Sequence, residues 1–168
     1  MDERLARLLD RQEIERVIQS YCRGIDRRDL ALVRACYHDD ATDHHGSFFG
    51  TADEYVVWVD KLLARYRFTT HALHQITIEF GEAPDRAAAE TYGVSVHRGD
   101  PSKPHQNLAT AFRYLDRFER RDGTWRIAAR QVVLDWTRAE LAGDAWPVEA
   151  AFARPGRRDA DPSANLFP

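Results

Sequence analysis

Asp122-Gly123 stands between two long runs that alternate apolar and polar residues, and no other feature constrains the fold of this chain as much. Asp-Gly suits a tight two-residue hairpin turn, because both central residues must take positive φ. Upstream, Leu108 to Arg120 alternates through Phe112, Tyr114 and Phe118. Downstream, Trp125 to Trp136 runs back, with Trp125 and Ile127 on one face. Such alternation marks strands with one buried face. Two further runs precede the hairpin. Ile76, Ile78 and Phe80 alternate with Thr77 and Glu79, and Ala87 to His97 alternates through Tyr92, Val94 and Val96. The pattern predicts a four-strand antiparallel meander, with turns at Gly81 to Asp85 and at Gly99-Asp100-Pro101.

The residues before Phe68 follow another period. Leu5, Leu8, Leu9, Ile14, Val17, Ile18, Tyr21 and Ile25 recur at helical spacing, and Gly24 weakens that helix near its end. Asp26 or Asp29 can cap a second helix over Leu30 to Tyr37. His44-His45-Gly46 and Phe49-Gly50 point to a short strand and a turn. A third helix is expected from Ala52 to about Tyr66, with Tyr55, Val56, Val59, Leu62 and Leu63 on its apolar side. Three helices followed by a meander make an α+β pattern. A strongly curved antiparallel sheet wrapped around the helices would form a cone, which is a natural pocket for a small molecule. One domain is expected over residues 1–142. The tail, 143–168, holds Pro147, Pro155, Gly156 and Pro162 and reads as irregular. Its Trp146, Val148 and Phe152 are too apolar for a free tail, so it is expected to pack on the domain or on a neighbouring subunit.

Composition narrows the function. The chain has 168 residues, 43% of them hydrophobic, enough for one domain with a core and a pocket. A net charge of −3 leaves no basic footprint for nucleic acid, and Arg27-Arg28 and Arg157-Arg158 are short and interleaved with acids. No apolar run approaches the roughly 20 residues of a membrane span. The start, MDERLARLLDRQE, lacks an apolar secretory core, so a cytoplasmic location is expected. Cys22 and Cys36 fall in expected helices and read as buried reduced thiols. His44-His45 is a fragment of a metal motif without a carboxylate cluster after it, so no metal is expected. Arg113, Arg117 and Arg130 lie on antiparallel strands, where pairing with Asp116, Glu119 or Asp135 in surface ladders is the plain reading. One of them, or Tyr114, could instead face the pocket. Trp58, Tyr92, Phe112 and Trp136 are read as core or pocket wall.

The order of elements, the segment SYCRGIDRRD and the hairpin DRFERRDGTWRI resemble the nuclear transport factor 2-like superfamily. Over residues 5–137 the chain is similar to its SnoaL-like branch, which includes scytalone dehydratase, hexachlorocyclohexane dehydrochlorinase and bile acid 7α-dehydratase. The resemblance implies a catalytic Asp after the first helix and a His opening a long strand; Asp26 in GID and His71 in THALH hold those positions. It also implies a role for Tyr21, five residues before Asp26, and gives His74 a counterpart. His97 lies near a further His of scytalone dehydratase. By simple alternation His71 shares a face with Leu73 and is opposed to Ile76, Ile78 and Phe80, whereas His74 has their parity. A bulge between His71 and Ile76 would reset the count. Asp26 could equally be a helix cap, and Tyr21 a core residue.

The resemblance implies a cofactor-free lyase or isomerase acting on an apolar cyclic, aromatic or steroid-like molecule. An imidazole oriented by a carboxylate would take a proton from carbon. Expected catalytic residues are Asp26, His71 and Tyr21, and expected substrate contacts are His74, Tyr92, Phe112, Tyr114, Trp58 and Trp136. A homo-oligomer, dimer or trimer, is expected through the outer sheet face. A non-catalytic β-type subunit of a ring-hydroxylating dioxygenase and a ligand-binding or polyketide cyclase-type protein are the alternatives.

Overall fold

The first helix, α1 (Glu3–Arg27), opens on an Asp2 side chain that accepts from the backbone N–H of Arg4 at 2.9 Å. This is a computed structural model, which describes residues 2–99, 107–140, 151 and 153–166. Gly24 does not end α1. The helix runs one turn further, to a left-handed Arg28 (φ 53°) whose N–H closes on Gly24 and Ile25 carbonyls. Gly24 serves a close approach instead: a Cβ there would lie 2.7 Å from a Val33 methyl of α2 (Leu30–Ala35). Asp29 caps α2 by accepting from Leu32 at 3.1 Å, so Asp26 is not a cap. Leu5, Leu8 and Leu9 are exposed, and the buried stripe of α1 begins at Asp10 and Ile14.

The expected second helix stops early because Tyr37 begins β1 (Tyr37–His45). After β2 (Phe48–Thr51), helix α3 (Ala52–Leu63) starts with a reciprocal capping box between Thr51 and Glu54. Then come β3 (Phe68–Phe80), β4 (Arg86–Arg98), β5 (Asn107–Arg121) and β6 (Thr124–Glu140). Asp122 (φ 51°) and Gly123 (φ 78°) form the expected tight turn between the last two.

The sheet is wider than a four-strand meander and is not purely antiparallel. Its six strands are ordered β2-β1-β6-β5-β4-β3, and β1 lies parallel to β6 while every other pair is antiparallel. The sheet is curved, with register shifts in β1, β3, β5 and β6. Its concave face packs Ile78, Phe112, Tyr114, Phe118, Trp125 and Ile127 against Ile14, Ile18, Tyr21 and Ile25 of α1 and Tyr55, Val59 and Leu63 of α3. The fold is α+β, a curved mixed sheet with three helices, of nuclear transport factor 2-like type.

Trp146, Val148 and Phe152 lie outside the described residues. Further on, 3₁₀ turns at Arg158–Ala160 and Pro162–Asn165 sit beside the ends of α1 and α3, where Arg158 donates to the Arg28 carbonyl at 3.2 Å. Among the described residues no helix is long and apolar enough to cross a membrane.

Candidate active site

The concave side of the sheet, α1 and α3 enclose a cavity of about 380 Å³. His71 of β3 lines it, and Asp26, on the last turn of α1, stands directly behind. The His71 Nδ1 lies 2.6 Å from Asp26 Oδ1, and the His71 backbone N–H donates to Asp26 Oδ2 at 3.0 Å. Both carboxylate oxygens are thus used on one residue, which fixes the backbone of β3 and the ring together. The side chains are 6% and 13% exposed. The tautomer with its hydrogen on Nδ1 donates to Asp26, and no hydrogen bond from a described residue reaches Nε2.

A bulge is what turns His71 inward. The β3–β4 register advances three residues on β3, from Leu73 to Ile76, against two on β4, from Gly93 to Thr91. His71 and Leu73 therefore share the inner face with Ile76, Ile78 and Phe80, and His74 falls on the exposed side.

A second carboxylate–imidazole pair lies on the other side of the cavity. Asp43 of β1 is fully buried; its Oδ1 is 3.1 Å from Nδ1 of cavity-lining His45, and its Oδ2 accepts from the Tyr37 hydroxyl at 2.7 Å. Tyr21 shares a short hydroxyl–hydroxyl hydrogen bond with Tyr55, and both line the cavity. Burial raises the Tyr21 phenol well above its usual value, with Arg130 opposing, so it stays protonated. Arg130 and Asp116 form a two-pronged ion pair at 2.6 and 2.7 Å, with neither side chain exposed. The guanidinium carbon sits 4.0 Å from the ring centroids of Tyr21 and of Tyr114. Burial raises the Asp116 carboxyl, while Arg130 pulls it back. Burial also disfavours charge on Arg130, but Asp116 and the phenols outweigh it and keep the guanidinium charged.

His97 of β4 also lines the cavity, near His71. Its nitrogens face hydroxyls, Nδ1 that of Thr69 at 3.0 Å and Nε2 that of Ser95 at 3.2 Å. Burial, with help from His71, pushes its pKa down to about 4, so the ring is neutral.

Of the residues expected from sequence, Tyr21, Trp58, His71, Phe112 and Tyr114 line this cavity. His74, Tyr92 and Trp136 do not, and these expectations are corrected. His74 is exposed beyond the bulge, Tyr92 lies under the Arg113 guanidinium, and Trp136 is half-exposed. The surface ladder holds for Arg113 with Asp135 and Glu90, but Arg130 is interior, because the register shift in β6 between Ile127 and Ala129 resets the alternation and puts Arg130 on the inner face with Ile127. Sequence reasoning missed Asp43, His45 and Tyr55 as one group. Asp43 and His45 are two residues apart, the spacing that shares a strand face, and that signal was available. Cys22 and Cys36 are buried free thiols pushed up to about 12 by burial. Among the described residues no group of three or more His, Cys, Asp or Glu is placed to hold a metal ion. A broader hollow of about 650 Å³, lined by His44, Thr77, Glu79, Glu90, Leu115 and Arg117, belongs to the outer sheet face, and among the described residues its His44 is hydrogen-bonded to no carboxylate.

Structural similarity agrees with this architecture. A scytalone-dehydratase-type protein from Novosphingobium aromaticivorans superposes with a TM-score of 0.72 at 20% identity, covering 88% of this chain and 97% of that one. Hexachlorocyclohexane dehydrochlorinase LinA type 3 from Novosphingobium barchaimii gives 0.76 at 20% identity, covering 88% and 100%. No curated protein sequence matches the chain. The SnoaL-like domain family matches residues 6–131, three-quarters of the sequence. The chain belongs to the SnoaL-like family.

Proposed function

We propose that this protein is a lyase of the dehydratase type, or an isomerase, in which His71 removes a proton from carbon while Asp26 orients it. The observation that carries this reading is the His71 ring held at Nδ1 by Asp26 at 2.6 Å, with no hydrogen bond from a described residue at Nε2, in the wall of a cavity of aromatic and aliphatic side chains. A neutral imidazole is a competent base near neutral pH, and positioned proton transfer contributes ~10²–10⁴-fold. Asp26 keeps the tautomer that offers Nε2 and stabilises the imidazolium as it forms. Ile25, Trp58, Val59, Leu62, Phe112 and Val132 exclude water around the reacting carbon and fit an apolar cyclic or aromatic substrate. Tyr21 and Tyr55 share one hydrogen between their oxygens, so a second hydroxyl hydrogen remains to donate to a substrate carbonyl. The dyad supplies the base from the chain itself, and no cofactor is part of the proposal. The structural relatives named above, a dehydratase type and a dehydrochlorinase, are of the same reaction class.

The test is turnover of a bicyclic β-hydroxy aryl ketone, a β-hydroxy tetralone, which aromatises on losing water. Relative to wild type, His71→Ala and Asp26→Asn should each lower kcat by about 10²-fold or more, with melting temperature retained. The double variant should lose little beyond the worse single one, because groups acting as a unit are not additive. Activity undiminished in His71→Ala would end this reading.

A further inference from the structure

We propose that His45, held by Asp43, is a second catalytic residue that protonates the leaving group, so that the site is built to expel hydroxide as water. This rests on the reading of His71 as the base and names the chemistry of the bond that breaks.

The cavity is lined by three imidazoles, and their surroundings differ. Both nitrogens of His97 already face hydroxyls. Among the described residues, His71 and His45 alone of the three have Nδ1 on a carboxylate and no hydrogen bond at Nε2. Their carboxylates are not alike. Asp26 is partly open and takes a backbone N–H as well. Asp43 is fully buried, and among the described residues its side chain hydrogen-bonds only the Tyr37 hydroxyl and His45. Arg130, the register neighbour of Asp43 on β6, gives Nε and Nη2 to Asp116 and leaves Nη1 without a hydrogen-bond partner among the described residues, so no hydrogen bond from it reaches Asp43. A buried carboxylate demands a partner that brings a hydrogen and can carry a compensating charge, and the His45 ring at 3.1 Å is placed to be that partner. Aromatic faces receive that charge. The His45 ring stacks on Tyr55 of α3 at 5.2 Å, with Trp58 at 5.8 Å and Tyr114 of β5 at 6.4 Å. The phenols of Tyr37, Tyr55 and Tyr114 are held protonated, chiefly by burial, and bring no negative charge to His45, while Asp116 is taken by Arg130 and His97 by its two hydroxyls. A row of ring contacts, His71–Phe112–Tyr114–His45, spans the two dyads along β5.

The proton and electron balance then closes. His71 Nε2 takes the proton from the carbon beside the substrate carbonyl. The freed C–H pair becomes the new C=C bond, and the C–O bond at the next carbon breaks with its pair on oxygen. Nε2–H of the His45 imidazolium gives that oxygen its second hydrogen, and water leaves. His71 ends protonated and His45 neutral, and exchange with solvent resets both. A halide departs without a proton and would have no use for His45.

The experiment compares two ketones of one ring skeleton, a β-hydroxy tetralone and its β-chloro counterpart, in wild type, His71→Ala and His45→Gln. The ratio of turnover on the hydroxy over the chloro ketone should fall about 10²-fold in His45→Gln, the scale of one general acid. In His71→Ala both rates should fall together. A His45→Gln ratio equal to that of wild type, whether through loss of both rates or of neither, overturns the role of His45 and leaves the base assignment standing. Loss of neither rate in His71→Ala overturns the lyase reading and this inference with it. Nitrogen NMR of the imidazoles decides independently of turnover: neutral His45 should keep its hydrogen on Nδ1, and a neutral ring carrying it on Nε2 would overturn the proposal.

Discussion

A guanidinium with no exposed surface is tolerable only while its carboxylate remains, and this makes Arg130 the most exacting single position in the interior. Its partner Asp116 is equally closed to solvent. Removing one charge strands the other, at a cost of about 3–5 kcal/mol. Arg130→Met should therefore lower the stability read from urea unfolding by that order, and adding Asp116→Leu should recover much of it, since the pair would be replaced by apolar volume. A second prediction at this scale concerns pH. His97 has its pKa lowered from 6.5 to about 4, first by burial. Below pH 6.5 the unfolded chain takes up a proton that the folded chain refuses until about pH 4. Stability contributed by the neutral ring is thus intact above that window and lost as pH falls through it, to a total of about 3 kcal/mol. His97→Gln should lose less stability than wild type between these two pH values. Equal losses in the two proteins would show that His97 titrates normally. The sequence showed His97 as a histidine near the site; its closed hydroxyl surroundings come from Thr69 on β3 and Ser95 on its own strand, and that cross-strand pairing is invisible in a linear chain.

At the level of elements, the close fit of β4 to β5 sets the position of the base. Gly93 lies opposite Phe112, and a Cβ at Gly93 would come within 2.4 Å of the Phe112 ring. That ring is the edge-on neighbour of His71 at 5.6 Å. Gly93→Ala should therefore push Phe112 into the cavity, with a stability loss of about 1–3 kcal/mol and a larger proportional fall in kcat/KM. Melting and steady-state kinetics on the same preparation would check both. A variant with unaltered kinetics would show that Phe112 adapts without disturbing His71. Elements with a clear hydrophobic period were legible from sequence: α3, the 122–123 hairpin and the inner strands. The strand β1 was not, because YHDDATDHH hides its inward set behind polar letters. Tyr37 and Asp43 are buried as a hydrogen-bonded pair rather than as apolar residues, so periodicity carries no trace of them. Gly24 misled for a related reason. A glycine reads as a helix breaker, yet this one lets α2 approach α1, a fact of packing between elements. Alternation alone left His71 and His74 open, and only the bulge between Leu73 and Ile76 decides which of them faces inward.

For the molecule as a whole, the end of the chain closes on the helices that shape the cavity. Arg157 donates to the carbonyls of Leu63 and Tyr66, the first at 3.1 Å, just where α3 has run out of its own donors. Asp161, itself buried, faces Arg27 at 3.1 Å beside the turn that carries Asp26. Asp161 also accepts from the Ser163 hydroxyl, first of all, and from the backbone N–H groups of Gly156 and Ser163, which hold its carboxyl far below the usual range against burial, so the link stays charged. The segment thus ties the last turn of α1 to the last turn of α3, and these turns bear Ile25, Asp26, Leu62 and Leu63 around the cavity and its dyad. Hydrogen bonds from a charged donor contribute about 1.5–3 kcal/mol each at most. Arg157→Ala should therefore lower the melting temperature modestly and raise KM more than it lowers kcat, because the cavity wall loosens while the His71–Asp26 contact survives on α1 and β3. Truncation before Gly156 should have the same signs and a larger size, since it also releases Arg27 and the Arg28 carbonyl. A truncated chain that melts at the wild-type temperature and keeps its KM would show that the end of the chain rests on the helices without bracing them.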